Sequence, residues 1–431
     1  MSALAVVVLG VAFRVVRGGV PHDVILVSID TLRADHLGCY GYRRPTTPHI
    51  DRFRRDAVLF SEAIAHSSST LVSHASIMTS LLPQQHGASH GEKIALAEQW
   101  PTLAEILRRQ GFRTVSFNEG GLIAAEFGIG HGFEVYHSST RYVFSDVVDQ
   151  AIGWMRGQPS ARPLFLFLHT YEVHHPYRPP PADLAVMETG YAGPLPAGGT
   201  EMDVLTAIND GRLRIDGRDL AHIVATYDGD IHAMDRAFGR LTAFLEEQGR
   251  YEHALIVFTS DHGEEFAEHG KVGWHSHTLY DELLRVPLLI KFPHAARAGE
   301  TVAAQVRGID IAPTVLAALG IPAPGTFRGA DLMPLVLGRP EAPRLVVSRR
   351  DASTSTSIRS RRWKLYDGRL LDLAADSGEK VDVAAAHPRI AAALAQQLAA
   401  LAAEDPAAGR GPWVELSAEA QARLRALGYV R

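Results

Sequence analysis

The chain has 431 residues, of which 46% are hydrophobic and 21% charged, and its formal net charge is −5. This length and apolar content allow a large buried core, and the single cysteine, Cys39, excludes an intramolecular disulfide framework and a cysteine metal cluster. The acidic balance gives no reason to expect a nucleic-acid partner, and the densest basic patch, residues 359–364, is interpreted as one exposed face of a strand.

An apolar run at residues 3–13 opens the chain and is followed by Arg14 and Arg17. It is shorter than the about 20 residues of a membrane-spanning helix, and no basic residues precede it as in a standard signal peptide. Two interpretations stay open, a surface-packed leader and the end of a longer membrane anchor. We therefore expect membrane association, if there is any, to involve the N-terminus.

Apolar strands and amphipathic helices alternate through the following residues. The predicted strands are 24–27, 114–117, 164–168 and 254–258, and the predicted helices are 46–57, 102–110, 145–156 and 219–247. This alternation is typical of an α/β fold whose mostly parallel sheet is covered on both faces.

Two later regions depart from that alternation. Residues 177–217 are rich in Pro and Gly without a regular apolar period, which predicts a mobile loop over the site that sets substrate choice. Beyond residue 343, short alternating segments at 344–349, 355–359, 363–366 and 369–373 predict a small antiparallel sheet. A helix at 388–404 and a tail at 418–429, expected to pack against the sheet in a structural role, complete the chain.

Polar residues stand at the ends of two predicted strands. Asp30 follows the strand at 24–27, and Asp261 and His262 follow the strand at 254–258. Ligands of open α/β sheets usually bind at the carboxyl ends of the strands, so these side chains could converge on a divalent metal ion. The alternative is a set of solvated strand-end acids with a turn histidine.

A hydroxyl-rich segment, residues 67–70, directly precedes a predicted helix start. Hydrolases often present a nucleophile in this way, because the amides of the first helical turn face an anion. Here the chain resembles the sulfatase branch of the alkaline phosphatase superfamily. The segments that carry the resemblance occur in the family's order, at residues 29–42, 47–51, 70–87, 172–177, 261–264 and 278–288.

The resemblance implies an alkaline-phosphatase-like three-layer sandwich around a mostly parallel sheet, with a small C-terminal α+β lobe. It further implies a leader or truncated anchor at residues 1–20, a catalytic domain at 21–340 and a C-terminal subdomain at 341–431.

Sulfatases place a Cys or Ser at the nucleophile position and oxidise it to formylglycine, whereas this position falls on Thr70. The Cβ methyl group of Thr70 would turn the same oxidation into a ketone, which is not the hydratable aldehyde that sulfatases use. The family's usual Pro and Arg are Val72 and His74. Superfamily members with an unmodified Thr act on phosphoesters and phosphodiesters, so the resemblance implies a Thr70 nucleophile, with Ser69 as the alternative if the register slips.

A metal ion would activate this alcohol, since coordination can lower the pKa of water from ~15.7 to ~7. We expect Asp30, Thr70, Asp261 and His262 to hold it. Thr31 stands where many sulfatases have a second Asp, and the remaining nitrogen and oxygen ligands favour Mn or Zn, with Ca or Mg as alternatives. A second metal stays open, with candidates Asp228, Asp230, His269 and the later histidines, although residues 227–231 fit a solvated helix face better.

Histidines near family landmarks complete the predicted site. His74, His174 and His277 are expected to be catalytic, as donors to the transferred group or as the acid for the leaving group, and His275 is expected to bind substrate.

The favoured function is a metal-dependent hydrolase of phosphate mono- or diesters or of sulfate esters, acting on small molecules, lipids or glycans. The alternatives are an envelope phosphoethanolamine- or phosphoglycerol-type transferase, a true sulfuric ester hydrolase resembling arylsulfatases, and a non-catalytic anion-binding member. We expect a cell-envelope, periplasmic or extracellular location, with the cytoplasm as the alternative.

Overall fold

A computed structural model describes residues 20–139, 141–157, 162–188, 190–339, 342–403 and 410–429. The apolar run at 3–13 lies outside these residues. Within them, none of the helices is both long and apolar enough to cross a bilayer.

The strands alternate with helices along the first three quarters of the chain. In chain order the strands are β1 Val24–Ile29, β2 Val58–Ile64, β3 Ile94–Leu96, β4 Arg113–Asn118, β5 Val135–Ser138, β6 Leu164–Thr170, β7 Leu255–Ser260, β8 Glu265–Phe266, β9 Val272–Trp274, β10 Arg285–Val286, β11 Leu288–Lys291, β12 Thr301–Arg307, β13 Val346–Arg349, β14 Thr356–Arg359, β15 Trp363–Tyr366, β16 Arg369–Asp372 and β17 Arg410–Trp413. The helices are α1 Pro48–Phe53, α2 Thr70–Thr79, α3 Pro83–His86, α4 Leu103–Arg109, α5 Phe144–Arg156, α6 Pro181–Met187, α7 Met202–Asn209, α8 Gly217–Glu247, α9 Asp281–Leu284, α10 Ile311–Ala318, α11 Met333–Val336, α12 Pro388–Ala403 and α13 Ala418–Ala426.

A nine-stranded sheet with the order β10-β2-β11-β7-β1-β6-β4-β5 forms the centre, and β12 pairs with β2. The run β7-β1-β6-β4-β5 is parallel, while β11 is antiparallel to both β7 and β2. The predicted mostly parallel sheet is therefore confirmed.

Alternate residues of the central strands face opposite sides of this sheet. Val24 and Leu26 join one apolar cluster, whereas Ile25 and Val27 join another. Both faces are thus covered, which explains why the central strands read as continuous apolar runs.

The predicted helices are confirmed with shifted ends. Thr102 caps α4 by accepting a hydrogen bond from the Glu105 amide. The helix predicted at 46–57 is shorter, since α1 ends at Phe53 and the chain must turn into β2 at Val58.

The prediction of an irregular loop at 177–217 is wrong, because the structure places α6 and α7 there. Pro181 stands in the first turn of α6, where proline is compatible with a helix.

The predicted C-terminal antiparallel sheet is confirmed as β13-β14-β15-β16, and α12 packs on it. The interpretation of residues 359–364 as an exposed strand face is wrong at two positions. Arg359 and Lys364 are buried and pair with Asp281 of α9 at 2.6 and 3.0 Å. These contacts attach the small sheet to the region around the central one.

Candidate active site

The central sheet brings Asp30, Asp261 and His262 together. Strands β1 and β7 are parallel neighbours whose last residues, Ile29 and Ser260, are directly paired. The next residue on each strand is an aspartate, so both carboxylates leave the sheet at the same edge. The side chains of Asp30, Asp261 and His262 are buried, and His262 Nε2 lies 3.8 Å from Asp30 Oδ1 and 3.5 Å from Asp261 Oδ2.

Thr70 is the first residue of α2 and its hydroxyl faces this cluster. The Oγ1 atom donates a hydrogen bond to Asp30 Oδ2 at 3.1 Å and lies 3.3 Å from His262 Nε2. The four residues predicted to share a metal therefore surround one small volume.

The alternative nucleophile, Ser69, occupies the N-cap position of α2. Its hydroxyl oxygen is buried and has no hydrogen-bond partner among the described residues, whereas Thr70 contacts both Asp30 and His262. This geometry favours Thr70.

The carboxylates fit a cation. Asp30 Oδ1 and Asp261 Oδ2 are buried without a hydrogen-bond partner in the described structure, which is costly for charged oxygens. Burial raises the pKa of Asp30 to about 7, and burial together with the Asp30 charge raises the pKa of Asp261. A divalent cation would satisfy both oxygens and remove their mutual repulsion.

The tautomer of His262 also fits a metal ligand. Its Nδ1 lies 3.0 Å from the Gly263 carbonyl oxygen, which can only accept, so Nδ1 carries the hydrogen and Nε2 presents a lone pair to Thr70. Burial lowers the pKa of His262, but the negative charges of Asp261 and Asp30 have the larger combined effect, so the pKa is raised above its ordinary value.

His74 lies one turn further along α2 and does not contact the Thr70 hydroxyl. Its Nδ1 donates to the Thr70 carbonyl oxygen at 2.8 Å, and its Nε2 lies 3.0 Å from Ser28 Oγ. Burial lowers its pKa to about 4. The structure thus gives His74 contacts that position the first turn of α2.

His169, which sequence reasoning missed, is fully buried beside the carboxylates. Its Nε2 lies 3.5 Å from Asp30 Oδ2, and neither ring nitrogen has a hydrogen-bond partner among the described residues. With His74 and Asp261 it forms a further group with metal-ligand spacing. The available signal was a lone histidine at the end of the apolar run of β6.

Tyr429, also missed, reaches the site from the C-terminal tail. Its hydroxyl oxygen lies 3.1 Å from Thr70 Oγ1, 2.9 Å from His174 Nε2 and 3.2 Å from His275 Nε2. The tail was expected only to pack against the sheet, but it also contributes Tyr429 to the site. His174 and His275 join the Thr70 neighbourhood through this hydroxyl.

His277 and the candidates for a second metal make their contacts elsewhere. His277 Nε2 lies 2.7 Å from Glu265 Oε2 and its Nδ1 lies 3.2 Å from the His275 carbonyl oxygen. The three named candidates for a second metal also have partners away from Thr70. Asp228 pairs with His36 and Arg44, Asp230 accepts a hydrogen bond from the Arg178 amide, and His269 pairs with Glu282. Asp228 and Asp230 are buried, so the interpretation of 227–231 as a solvated helix face is wrong.

A cavity of about 330 Å³ lies beside His174 and His175. His174 and His175 line it together with Tyr171, Arg178 and Leu427 of the tail. It gives solvent and ligands access to the histidines from the side of the tail.

Comparison with known proteins identifies the family of the chain. The Sulfatase family model matches residues 22–321, and a model described as N-sulphoglucosamine sulphohydrolase, C-terminal, matches residues 268–403. The chain is 23% identical to an N-acetylglucosamine-6-O-sulfatase of Bacteroides thetaiotaomicron, over 74% of this chain and 72% of that protein. It is 26% identical to a multifunctional alkaline phosphatase superfamily protein of Trinickia caryophylli, over 74% of this chain and 78% of that protein.

The fold is also similar to solved structures. A phosphonate monoester hydrolase of Agrobacterium radiobacter superposes with a TM-score of 0.73 at 22% identity, covering 89% of this chain and 96% of that one. This likeness confirms the expected three-layer architecture. Because the family model covers most of the chain, including the strand ends and α2 that build the site, the protein belongs to the sulfatase family of ester hydrolases.

Proposed function

We propose that this protein is a metal-dependent hydrolase of phosphate or sulfate esters that uses the unmodified hydroxyl of Thr70 as its nucleophile. The observation that carries the proposal is the hydroxyl's position, 3.1 Å from Asp30 and 3.3 Å from His262 in a buried cluster. A free alcohol is too weakly acidic to attack near neutral pH, so its activation must come from these neighbours.

Thr70 is positioned for in-line attack by the start of α2. Its proton lies in the hydrogen bond to Asp30, which leaves a lone pair for a phosphorus or sulfur atom. Ser69 makes no side-chain cap, so the first-turn amides of α2 can bind an anionic oxygen. As the bond from Thr70 Oγ1 to phosphorus forms, the bond from phosphorus to the ester oxygen would break, the Thr70 proton would pass to Asp30, and the departing alkoxide would take up a proton from water. A second water molecule would then attack phosphorus, break its bond to Thr70 Oγ1 and restore the Thr70 hydroxyl.

The divalent ion that fits this site would be held by Asp30, Asp261, His262 and Thr70. When bound, it would favour the alkoxide of Thr70 and polarise an ester oxygen. His74 would keep the first turn of α2 in place through the Thr70 carbonyl oxygen.

The small number of positive side chains around Thr70 favours substrates with a single negative charge. Among the described residues, no lysine or arginine pairs with Asp30, Thr70, Asp261 or His262. His74, in place of the family's usual arginine, is neutral near pH 7 because burial lowers its pKa. A phosphodiester, phosphonate monoester or sulfate ester carries one negative charge and needs less compensation than a phosphate monoester with two.

A sulfuric ester hydrolase is the second candidate, favoured by relatives that are named sulfatases. Sulfate and phosphate esters share tetrahedral geometry and differ mainly in charge. The Cβ methyl group of Thr70 counts against it, because formylglycine cannot form there.

Steady-state assays with nitrophenyl sulfate, nitrophenyl phosphate, bis-nitrophenyl phosphate and a phosphonate monoester test the proposal after exchange with Mn, Zn, Ca or Mg. We expect the diester and the phosphonate monoester to turn over faster than the phosphate monoester, and intact mass to show an unoxidised Thr70. Fastest turnover of the sulfate, together with an oxidised residue 69 or 70, would establish the second candidate instead.

We further propose a location in the cell envelope or outside the cell, with a small-molecule, lipid or glycan ester as substrate. The support is the resemblance to proteins that act on sulfated sugars, including the sulfatase of Bacteroides thetaiotaomicron by its name. Fractionation of cells that express the full chain would test the location.

A further inference from the structure

A cavity of about 210 Å³ lies where the C-terminal sheet meets helices α2 and α3. Its lining includes Val72 of α2 and Pro83 of α3, together with Arg349, Arg350 and Asp351. Arg349 is the last residue of β13, so the small sheet brings the two arginines to this cavity. None of the residues proposed to hold the metal ion lines it.

Arg349 and Arg350, the arginine pair, have no acidic partner. Arg349 Nε donates to the Ser353 carbonyl oxygen at 3.0 Å, and Arg350 Nη1 donates to the His277 carbonyl oxygen at 3.0 Å. Within the described part of the chain, these carbonyls are the only hydrogen-bond partners of the two guanidinium groups, and neither group forms an ion pair. A guanidinium carries several N–H donors and stays charged, so most donors of the pair are free to bind a ligand.

The acids that line the cavity are bonded to other groups. The Asp351 carboxylate accepts hydrogen bonds from the Ser89 hydroxyl at 2.5 Å and from the next two backbone amides of that turn at 3.1 and 3.0 Å. Glu92 pairs with Arg410, which also lines the cavity. Three arginines thus face two acids in this lining, and its net charge is positive.

The chemistry of the arginine pair selects an oxyanion. The planar fork of a guanidinium matches two oxygens of a carboxylate or phosphate group, and such charge-assisted hydrogen bonds are roughly twice as strong as neutral ones. A sulfate group presents the same tetrahedral arrangement of oxygens as a phosphate. A neutral ligand would leave both positive charges uncompensated, and a cation would be repelled.

The cavity is close to the nucleophile but separate from it. Val72, which lines the cavity, lies in the first turn of α2 that begins with Thr70. The His90 ring connects the two places, since its Nδ1 lies 3.2 Å from Asp351 Oδ2 and its centroid lies 5.3 Å from that of Tyr429. The Tyr429 hydroxyl oxygen in turn lies 3.1 Å from Thr70 Oγ1. An ester bound at Thr70 therefore needs an extended alcohol portion to reach the arginine pair.

We propose that Arg349 and Arg350 bind a second anionic group of the substrate, carried on the alcohol portion of the ester. This inference rests on the proposed function and narrows the substrate class to extended molecules with an anionic group besides the ester. The second group is a sulfate, phosphate or carboxylate, which a glycan or a lipid headgroup can supply. The single negative charge favoured at Thr70 concerns the ester group alone, because the second anion is bound in a different place.

Calorimetry with alkane sulfonates on the full-length, metal-loaded protein provides the test. A sulfonate resembles a singly charged ester group, and its carbon–sulfur bond is not hydrolysed, so binding is measured without turnover. The probes are alkanes of increasing chain length with a sulfonate at both ends or at one end. We expect at least one disulfonate to bind with a Kd about 10-fold or more below that of the monosulfonate of equal length, because both ends are held.

The second anion is then identified at the best chain length. One sulfonate of the disulfonate is replaced by a phosphonate or by a carboxylate, and the lowest Kd among the three probes shows which anion the arginine pair prefers. Preference for the sulfonate or the carboxylate indicates an acidic glycan as the source, and preference for the phosphonate indicates a lipid headgroup.

Variants assign the effect to the arginine pair. Arg349→Ala/Arg350→Ala should raise the Kd of the best disulfonate to about that of the monosulfonate and leave the monosulfonate Kd unchanged. Arg108→Ala/Arg109→Ala, an exposed adjacent pair at the end of α4, is the matched control and should bind both probes like the wild type.

Ala352→Asp is a second variant that keeps both arginines and their carbonyl contacts. Residue 352 is exposed and lines the cavity, so the added carboxylate should pair with the arginines and weaken disulfonate binding. If thermal melting shows that the arginine double variant is unfolded, Ala352→Asp decides the question.

Two results would overturn the proposal. The first is a wild type in which no disulfonate binds more tightly than its monosulfonate, and the second is wild-type affinity for the best disulfonate in the folded arginine double variant or, where that variant is unfolded, in Ala352→Asp. Hydrolysis of the nitrophenyl esters is measured separately. A protein that binds the disulfonate through the arginine pair but cleaves none of these esters would contradict the proposed function and leave this inference intact.

Discussion

The Thr70 hydroxyl can be removed while the carboxylate cluster is kept. We expect Thr70→Ala to lower kcat/KM on the preferred ester by on the order of 10³-fold or more, because the attacking atom is lost. Thr70→Ser should keep much of the activity, since the hydroxyl remains. Total zinc should stay near the wild-type amount in both, because Asp30, Asp261 and His262 remain.

Thr79→Ala is the matched control for this experiment. Thr79 lies at the other end of α2, and its hydroxyl donates to the Ala75 carbonyl oxygen at 2.6 Å. Its loss should affect stability slightly and leave kcat/KM within a few-fold of the wild type. Wild-type turnover by Thr70→Ala would remove Thr70 from the mechanism.

The residues that were predictable from sequence lie next to recognisable strand and helix ends. Asp30 and Asp261 follow apolar runs that are typical of buried parallel strands, and such strands end at a common edge. Tyr429 lies 359 positions from Thr70, and no local pattern specifies where a tail docks. His174 and His275 were predicted as site residues, but their convergence with His175 was missed because His275 lies in a distant loop.

The turn after β7 depends on the absence of a side chain at Gly263. A Cβ atom there would lie 2.0 Å from the Glu282 carbonyl oxygen, so Gly263→Ala must displace the turn that carries His262. We expect a loss of stability of about 1–3 kcal/mol from the overpacking. Since a misplacement of ~1 Å can cost ~10²-fold in rate, kcat/KM should fall by a similar factor.

Gly153→Ala is the control for the glycine substitution. Gly153 lies inside α5, and apart from its chain neighbours and the backbone of its own helix, no atom would lie within 4 Å of a Cβ atom there. Alanine should stabilise this helix by about 0.5–1 kcal/mol and leave activity unchanged. Wild-type thermal melting and turnover by Gly263→Ala would contradict the proposed role of the turn.

The ion group between α9 and the C-terminal sheet predicts a pH-dependent contribution to stability. The Asp281 carboxylate accepts from Arg359 Nη1 at 2.6 Å and from Lys364 Nζ at 3.0 Å, and Lys364 also pairs with Glu379 at 2.7 Å. Asp281→Asn would leave two buried cations without this partner. We expect a loss of about 3–5 kcal/mol near neutral pH, measured by denaturant unfolding.

The sign of the pH dependence follows from the pKa of Asp281. Burial raises it, but Arg359 and Lys364 outweigh burial and hold it well below its ordinary value of 3.8. The carboxylate therefore stabilises the fold above about pH 3.8, and this contribution disappears as the pH falls further. The difference in free energy of unfolding between wild type and Asp281→Asn should shrink below that pH.

Asp149→Asn, which breaks an exposed pair with Arg240, is the control and should lower the free energy of unfolding by less than about 1 kcal/mol. An equal loss in both variants would contradict the stabilising role of Asp281.

The elements that sequence patterns missed are those whose residues have several compatible structures. Residues 177–217 carry the Pro and Gly content of a loop, yet α6 begins at Pro181 and α7 packs Leu205 into the core. Arg359 and Lys364 alternate with apolar residues as in an exposed strand, and their burial depends on Asp281, which is distant in sequence. In both regions, contacts with residues distant in sequence determine the structure.

The C-terminal tail brings Tyr429 into contact with Thr70. Leu424 and Leu427 are buried, Tyr142 donates to the Arg423 carbonyl oxygen, and the Tyr429 hydroxyl completes the contacts with Thr70, His174 and His275. A chain that ends at residue 417 should therefore lose the group that orients the two histidines. Because loss of such a supporting group typically costs 10–100-fold, we expect kcat/KM on a small ester to fall by about that factor.

The central sheet should remain intact in the truncated chain, since its strands β7, β1, β6 and β4 pair with one another without the tail. Thermal melting and kcat/KM measured on the same preparation separate loss of fold from loss of the site. A chain that lacks only residues 430 and 431 keeps Tyr429 and serves as the control, with wild-type turnover expected. If truncation at residue 417 instead raised kcat/KM, the tail would be excluding substrate from Thr70, and its contribution to the active site would have to be abandoned.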